Sequence, residues 1–328
     1  MLHIYNGDSA AGTARNSNFP GEHLAWREAL VCGPTPSGLS EREFRGVRAK
    51  YLAEAYGANI EESEKQLREQ AEALRFSDHE EVVLWFEHDL FCQVHLIYLL
   101  NWFGGRGLGK TKLSLICIDE FPGIKDFRGL GQLNEEQLAS LFPQRREVTD
   151  TQLKLGSKAW RAYSSPNPQE IEALLASGTS ALPFLKDALI KHLQRFPSVR
   201  NGLGRIENLG LELIAAGHHE FGVLFSEFGK AEPTYGFGDA QLFVELKRQA
   251  TAREPLLTMS NGATATALDS AQLLNSSFQI TERGAAVVRG DDDFIRTNGI
   301  NLWLGGVHFE GEEAAWRWDE NHRNLVTQ

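Results

Sequence analysis

VVLWFEHDLFCQVHLIYLLNWFGGRGLGKTKLSLICIDE, residues 82–120, decides the fold. Its first five residues are apolar without interruption and rich in β-branched and aromatic side chains, the pattern of a strand buried on both faces. EHD, 87–89, follows at once. Residues 89–103, DLFCQVHLIYLLNWF, are apolar on nearly every side, which predicts a buried helix. After a glycine-rich turn, LSLICI, 113–118, repeats the buried-strand pattern and stops at Asp119-Glu120. Strand, helix and strand in this order imply a mostly parallel sheet with helices on its faces.

Toward the N-terminus, LHIYN, 2–6, is a further strand that ends at Gly7-Asp8, and GDSAAGT turns it into a helix. An apolar stretch at 24–26 leads to Glu28 and to the loop CGPTPSG. Residues 41–75 read as one charged helical stretch with a solvated face. Beyond Gly129, helix starts are marked by capping spacings at Asn134/Gln137, Thr149/Gln152 and Asn167/Glu170. Further helices are expected over 205–216, 220–228 and 239–250, and FQITERGAAVVRG, 278–290, resembles the end of a winged-helix domain, with Thr281 as a cap. The expected architecture is α/β: a mostly parallel sheet domain over 1–128, a helical section over 129–202, and a winged-helix-like α+β unit over 203–328.

Composition narrows the partners. The chain of 328 residues carries a net charge of -11, which opposes a nonspecific hold on nucleic acid or anionic membrane. From Leu203 onward ten basic and eighteen acidic residues leave -8 of that total, so the winged-helix-like unit is expected to contact protein or cover a core rather than DNA. The tryptophans of the tail, Trp303, Trp316 and Trp318, read as packing anchors. Three cysteines with no CxxC pair suggest neither a disulfide framework nor a cysteine zinc site. With no apolar run approaching a membrane span and no basic-apolar leader, the protein is expected in the cytoplasm.

GGRGLGKT, 104–111, satisfies the phosphate-loop pattern, but that loop works only between a strand and the helix it opens. Here it follows a helix and precedes a strand, which predicts a plain connection. The acids carry more. Asp8, Glu87, Asp89 and Asp119 all fall just past the carboxyl end of an expected strand, and in a parallel sheet those ends share one edge. Carboxylates gathered there need a shared proton or a cation, so acid/base work by Asp8, Glu87, His88, Asp89 and Asp119 is one expectation. A divalent metal on Asp8, Glu87 and Asp89 is the other. The plain alternative makes Asp8 and Asp89 helix caps and Glu87 and Asp119 loop acids. Gly7 and Ser9 in the small-residue turn, with Trp26, Glu28 and Gly33 along the apolar stretch at 24–26 and the loop beyond it, are the expected ligand contacts. Arg45, Arg48, Arg145 and Arg146 could balance an anionic ligand or lie on the surface. His95, and His218-His219-Glu220, complete no ligand spacing.

Taken jointly, LHIYNGDSAAG, AWREALVCGP, VVLWFEHDLFCQ, LSLICIDEFPG, GLGQL, INLWLGGVH and WRWD resemble the bacterial domain-of-unknown-function family 1835. The resemblance implies an α/β domain with a polar site near the GD and EHD segments, and it implies no reaction. Where this chain has Glu28 and Cys92, the resemblance leads one to expect aspartates. A small phosphate-bearing or nucleotide-like ligand at the strand ends, turned over by hydrolysis or group transfer, is the functional expectation; a non-catalytic adaptor or regulator contacting protein is the rival, and a transcriptional regulator using the winged-helix-like unit is the third reading.

Overall fold

The computed structural model describes residues 1–17, 19–260 and 273–327. The chain is α/β and divides into two compact units, 1–31 with 64–189, and 32–63 with 190–328. Among the described residues no helix is long and apolar enough to cross a membrane.

The first unit is built on a five-stranded sheet. Numbered along the chain, its elements are β1 (Leu2–Asn6), α1 (Asp8–Asn16), β2 (Glu22–Trp26), β4 (Glu81–Glu87), α4 (Leu90–Arg106), β5 (Lys112–Ile118), α5 (Glu135–Leu141), β6 (Arg146–Glu147), α6 (Asp150–Ser164) and α7 (Gln169–Ser177). The strand order is β2-β1-β4-β5-β6, parallel throughout except for the antiparallel edge strand β6. β4 pairs on both sides and is buried at every residue, as its unbroken apolar run requires. The chain steps from β1 to β2 in one direction and from β4 to β5 in the other. Right-handed crossovers therefore put α1 and α4 on opposite faces. On the α1 face, Ala10, Ala11 and Ala14 pack with Tyr5, Val83, Trp85 and Ile116, and Leu130, Leu133, Leu138 and Leu141 complete that core. The small residues after Gly7 thus serve close packing of α1 on the sheet. Helix α4 packs against α6, where a Cβ at Gly156 would strike Leu100.

The glycine-rich stretch 104–111 closes α4 and leads into β5, the inverted order that its position implied. Both capping boxes at Asn134/Gln137 and Thr149/Gln152 are formed.

The second unit holds β3 (Gly33–Pro34), α2 (Glu41–Tyr56), and, after α8 (Leu185–Leu193), the helices α9 (Arg205–Ala215), α10 (Phe221–Ala231) and α11 (Asp239–Ala250). Antiparallel strands β7 (Leu257–Ser260) and β8 (Ser277–Ile280) follow, with Glu220 bridging to Ser277. Two more small sheets pair β9 (Ile300–Gly305) with β10 (Val307–Gly311), and β11 (Trp316–Asp319) with β12 (Asn324–Thr327), both antiparallel. The helical stretch expected over 41–75 is broken at Gly57, which takes φ 70°, and resumes as α3 (Ile60–Ala73).

The unit boundaries differ from those expected at 128/129 and 202/203. Residues 129–189 join the sheet unit because the leucines of 130–141 fill one of its faces. Residues 32–63 leave it because β3 adds to β9 and α2 packs on α11.

Candidate functional site

The order β2-β1-β4-β5 reverses direction between β1 and β4, and open α/β sheets leave a ligand crevice outside the carboxyl ends of the strands at such a switch. Four polar side chains meet there. Glu87 is the last residue of β4 and Asn6 the last of β1, while Asp89 caps α4 and Cys92 lies in its first turn. Asp89 Oδ1 accepts from the Cys92 N–H at 2.9 Å, which fixes the start of the helix. The Cys92 thiol donates to Glu87 Oε2 at 2.6 Å, and Asn6 Nδ2 donates to Cys92 Sγ at 2.7 Å. The second Glu87 oxygen accepts the Leu130 N–H at 2.7 Å. Gln93 donates to the Glu87 carbonyl at 2.8 Å, holding the backbone beneath.

Burial sets the electrostatics. Glu87, Asp89 and Cys92 are all buried, and their ligand atoms lie within 4.8 Å of one another. Burial, and then the neighbouring Asp89 charge, push the Glu87 carboxyl up to about 7; the Cys92 and Leu130 hydrogen bonds pull the other way. Asp89 is raised by burial, against the Cys92 N–H and His88. Burial and both acids raise the Cys92 thiol well above its ordinary range. The Asn6 side-chain oxygen is also buried and makes no hydrogen bond.

The turn 129–131 lies across this cluster. A Cβ at Gly129 would fall 2.9 Å from Glu87 Oε1, and one at Gly131 would fall 2.8 Å from Ser9 Oγ. Glycine at both positions lets the backbone settle onto Glu87 and the start of α1. Ser9 is exposed, and its hydroxyl donates to the Gly131 carbonyl at 3.3 Å.

The remaining expected residues are placed differently. Asp8 stands outside the buried group: the Arg27 side chain grips it through Nε and Nη2 at 2.7 and 2.6 Å, with both side chains at least half exposed. The Arg27 guanidinium holds the Asp8 carboxyl below its ordinary range. Gly7, at φ 88°, is the N-cap of α1 and spends its N–H on the carbonyls of Tyr5 and Trp26. Asp8 is therefore no cap, whereas Asp89 is. His88 turns its ring toward Phe184, and its Nδ1 is buried without a hydrogen-bond partner. Asp119 is exposed beyond β5. Trp26 is buried against Tyr98. Glu28 is half-buried and accepts the Ala29 N–H at 2.7 Å. Gly33 lies in the second unit, where its strand pairs with β9.

Of the arginines, Arg48 is buried and donates to the carbonyls of Cys32 and Pro34, and Arg145 pairs with Glu81. Arg45 is half-buried and Arg146 exposed. His219 bonds the Phe278 carbonyl at the helix boundary. An open hollow of about 580 Å³ bounded by Thr13, Asn16, Asn134, Glu135 and Glu136 sits at the opposite end of α1 and gathers no buried polar group.

Four participants were not read as site residues from the sequence: Asn6, Cys92, Gln93 and Leu130, with Cys92 noted only where the resemblance leads one to expect aspartate. The spacing of Cys92 three residues after a helix cap was the readable signal for one of them, since that residue's N–H meets the cap. No protein-family model matches the chain, and no curated protein sequence matches it.

Proposed function

We propose that this protein is an enzyme of the hydrolase or group-transfer type that takes a small phosphate-bearing or nucleotide-like ligand at the carboxyl ends of β1 and β4. Glu87 and Asp89 hold a divalent cation there. What carries this reading is the Glu87–Asp89 pair: two buried carboxylates side by side, with no lysine or arginine bonded to either among the described residues. Burying two like charges without a counter-charge is strongly unfavourable, and a cation or a captured proton relieves it. A cation at this edge would also polarise an oxygen of a bound ligand, the part metal ions take in hydrolysis and phosphoryl transfer. The first N–H groups of α1 open onto the same edge, where the helix dipole favours an anion. Asp8 is outside the cation site in this reading; it anchors Arg27 beside the strand ends.

The test is a thermal-shift screen of wild type and Glu87→Gln against Mg²⁺, Mn²⁺, Zn²⁺, nucleotides and sugar phosphates. A ligand confined to the folded state raises apparent stability by about 2.7 kcal/mol at a hundredfold excess over its Kd. The expected result is a shift in wild type that Glu87→Gln loses. Equal shifts in both proteins would move the site elsewhere.

A second reading concerns the C-terminal unit as a winged-helix-like module that contacts protein rather than DNA. Helices α9, α10 and α11, the Glu220 bridge and the β7–β8 pair follow the order of such a module. Its third helix would be the one to enter a DNA groove. Helix α11 has no exposed residue, and α2 packs against it with Gln241 donating to the Tyr56 hydroxyl at 3.5 Å. Titrating the full chain with duplex DNA at low salt is expected to give no binding; salt-dependent binding would restore a regulator.

A further inference from the structure

The donor atoms at the strand ends decide which cation fits. Magnesium and calcium take six or more oxygens, and magnesium retains several waters. The cluster offers instead a sulfur and two carboxylates in a site where Glu87 is 7%, Asp89 4% and Cys92 2% exposed. Resting on the cation site proposed above, we infer that the ion is a thiophilic one of the zinc class, bound by Cys92 Sγ and one oxygen each from Glu87 and Asp89, with Asn6 Oδ1 as fourth donor.

The geometry is close to what such an ion needs. Tetrahedral zinc with bonds of ~2.0–2.3 Å keeps its ligands ~3.3–3.8 Å apart. The three donors already lie within 4.8 Å of one another. Cys92 Sγ and Glu87 Oε2, 2.6 Å apart about a shared proton, separate by roughly 1 Å when the ion replaces that proton. Binding therefore releases the thiol proton to solvent and leaves thiolate, two carboxylates and a dication with one net negative charge. The N–H groups of Cys92 and Leu130 and the N-terminal dipole of α4 face that charge.

Asn6 is the independent sign. Its amide touches the sulfur, yet its oxygen is buried with no partner, an arrangement that is costly unless something binds it. The two ends of a terminal amide are nearly the same size, so turning it over presents the oxygen where the nitrogen now lies. Gln93, through the Glu87 carbonyl, and Leu130, through Oε1, hold the glutamate from outside as outer groups do around metal centres.

The experiment uses the full chain stripped of metal with a chelator, then titrated with Zn²⁺ against a chromophoric competitor and with Co²⁺ as a spectroscopic probe. The inference expects one equivalent bound, proton release, and a near-ultraviolet cobalt–thiolate charge-transfer band. Cys92→Ser should abolish the band and weaken zinc by at least ~100-fold, the upper end of what losing an outer group costs; Cys117→Ser should keep both. Should Cys92→Ser fail to fold, Asn6→Ala serves instead, expected to keep the band with weaker zinc binding. A wild type without the band, or a band that survives in Cys92→Ser, overturns the zinc assignment. Shifts with Mg²⁺ and a nucleotide or sugar phosphate that depend on Glu87, without any thiolate band, would overturn it while leaving the proposed function standing. Absence of binding by every cation overturns both.

Discussion

Each unit buries a pair of carboxylates, and the two pairs are treated in opposite ways. In the second unit Glu207 and Glu245 share Arg248, which donates to both, and Arg195 approaches Glu245 at 3.9 Å. Two guanidiniums answer two carboxylates, so the network is neutral within itself. In the first unit Glu87 and Asp89 meet a thiol and two N–H groups, and the Asn6 amide reaches only the thiol sulfur; none of these carries positive charge. These hydrogen bonds engage both Glu87 oxygens and one of Asp89 but supply no counter-charge. A network already neutral is complete as architecture, whereas one that lacks its counter-charge needs a cation or a captured proton to supply it. Charge balance, more than burial or the number of acids, separates the two.

The largest effect expected from breaking this contrast is in the balanced network. Arg248→Met strands Glu207 and leaves Glu245 only the more distant Arg195, and removing one partner of a buried ion pair costs about 3–5 kcal/mol. Urea unfolding should register it as a lowered midpoint. Adding Glu207→Met should return part of the loss, since a matched apolar replacement is often tolerated; a variant as stable as wild type would show that the arginine is not the counter-charge.

A buried titratable group can also escape the problem by staying neutral, and His3 does so. It is buried among Trp85, Phe19 and His23, accepts from Trp85 Nε1 and bonds the Pro20 carbonyl. Burial, with help from His23 and the N-terminus and against Pro20 and Glu81, lowers its pKa from 6.5 to about 4. The unfolded chain therefore takes up a proton that the folded chain refuses. This stability is fully present above about 6.5 and is lost as pH falls toward about 4. On the order of 3 kcal/mol should disappear across that window. Urea midpoints at neutral and mildly acidic pH measure it, and His3→Gln should flatten the dependence.

How much of this was legible in the sequence follows from the same physics. The sheet could be read because strands buried on both faces run apolar without a break, as 82–86 does, and 113–118 follows the same pattern but for Ser114. Glu87 and Asp89 could be placed at the strand end by adjacency alone. Asp8 occupied an equally plausible position, but its direction depends on the turn at Gly7 and on Arg27, nineteen residues away, and no local pattern carries that pairing. Asn6 and Cys92 do not look like a site because neither is charged; they matter only once parallel pairing sets the ends of β1 and β4 side by side. The departure of 32–63 from the first unit rests on Gly33 pairing with Leu304, a contact between distant segments that leaves almost no trace in a two-residue strand.

The turn over the unbalanced cluster offers a smaller test. Gly129→Ala sets a methyl 2.9 Å from Glu87 Oε1, so the turn must lift or the carboxylate must move. Overpacking of this kind typically costs 1–3 kcal/mol. If the turn is the cover of a binding site, the variant should alter cation binding as well as the urea midpoint; if it is only packing, the midpoint alone will fall.

The smallest expected change is the most telling. Glu87→Gln keeps the length of the side chain and an oxygen for the Leu130 N–H, and it removes one of two uncompensated charges. A residue whose purpose was structural would be missed as Arg248 is. If the carboxylate is instead held ready for a cation, the metal-free variant should lie within about 1 kcal/mol of wild type or above it, because relieving a buried like-charge pair offsets the lost thiol contact. Urea unfolding of both metal-free proteins measures the difference. A loss on the scale of Arg248→Met would make the two networks alike and place Glu87 with the architecture; a neutral or favourable substitution that abolishes cation binding would leave the contrast between the units as the mark of function.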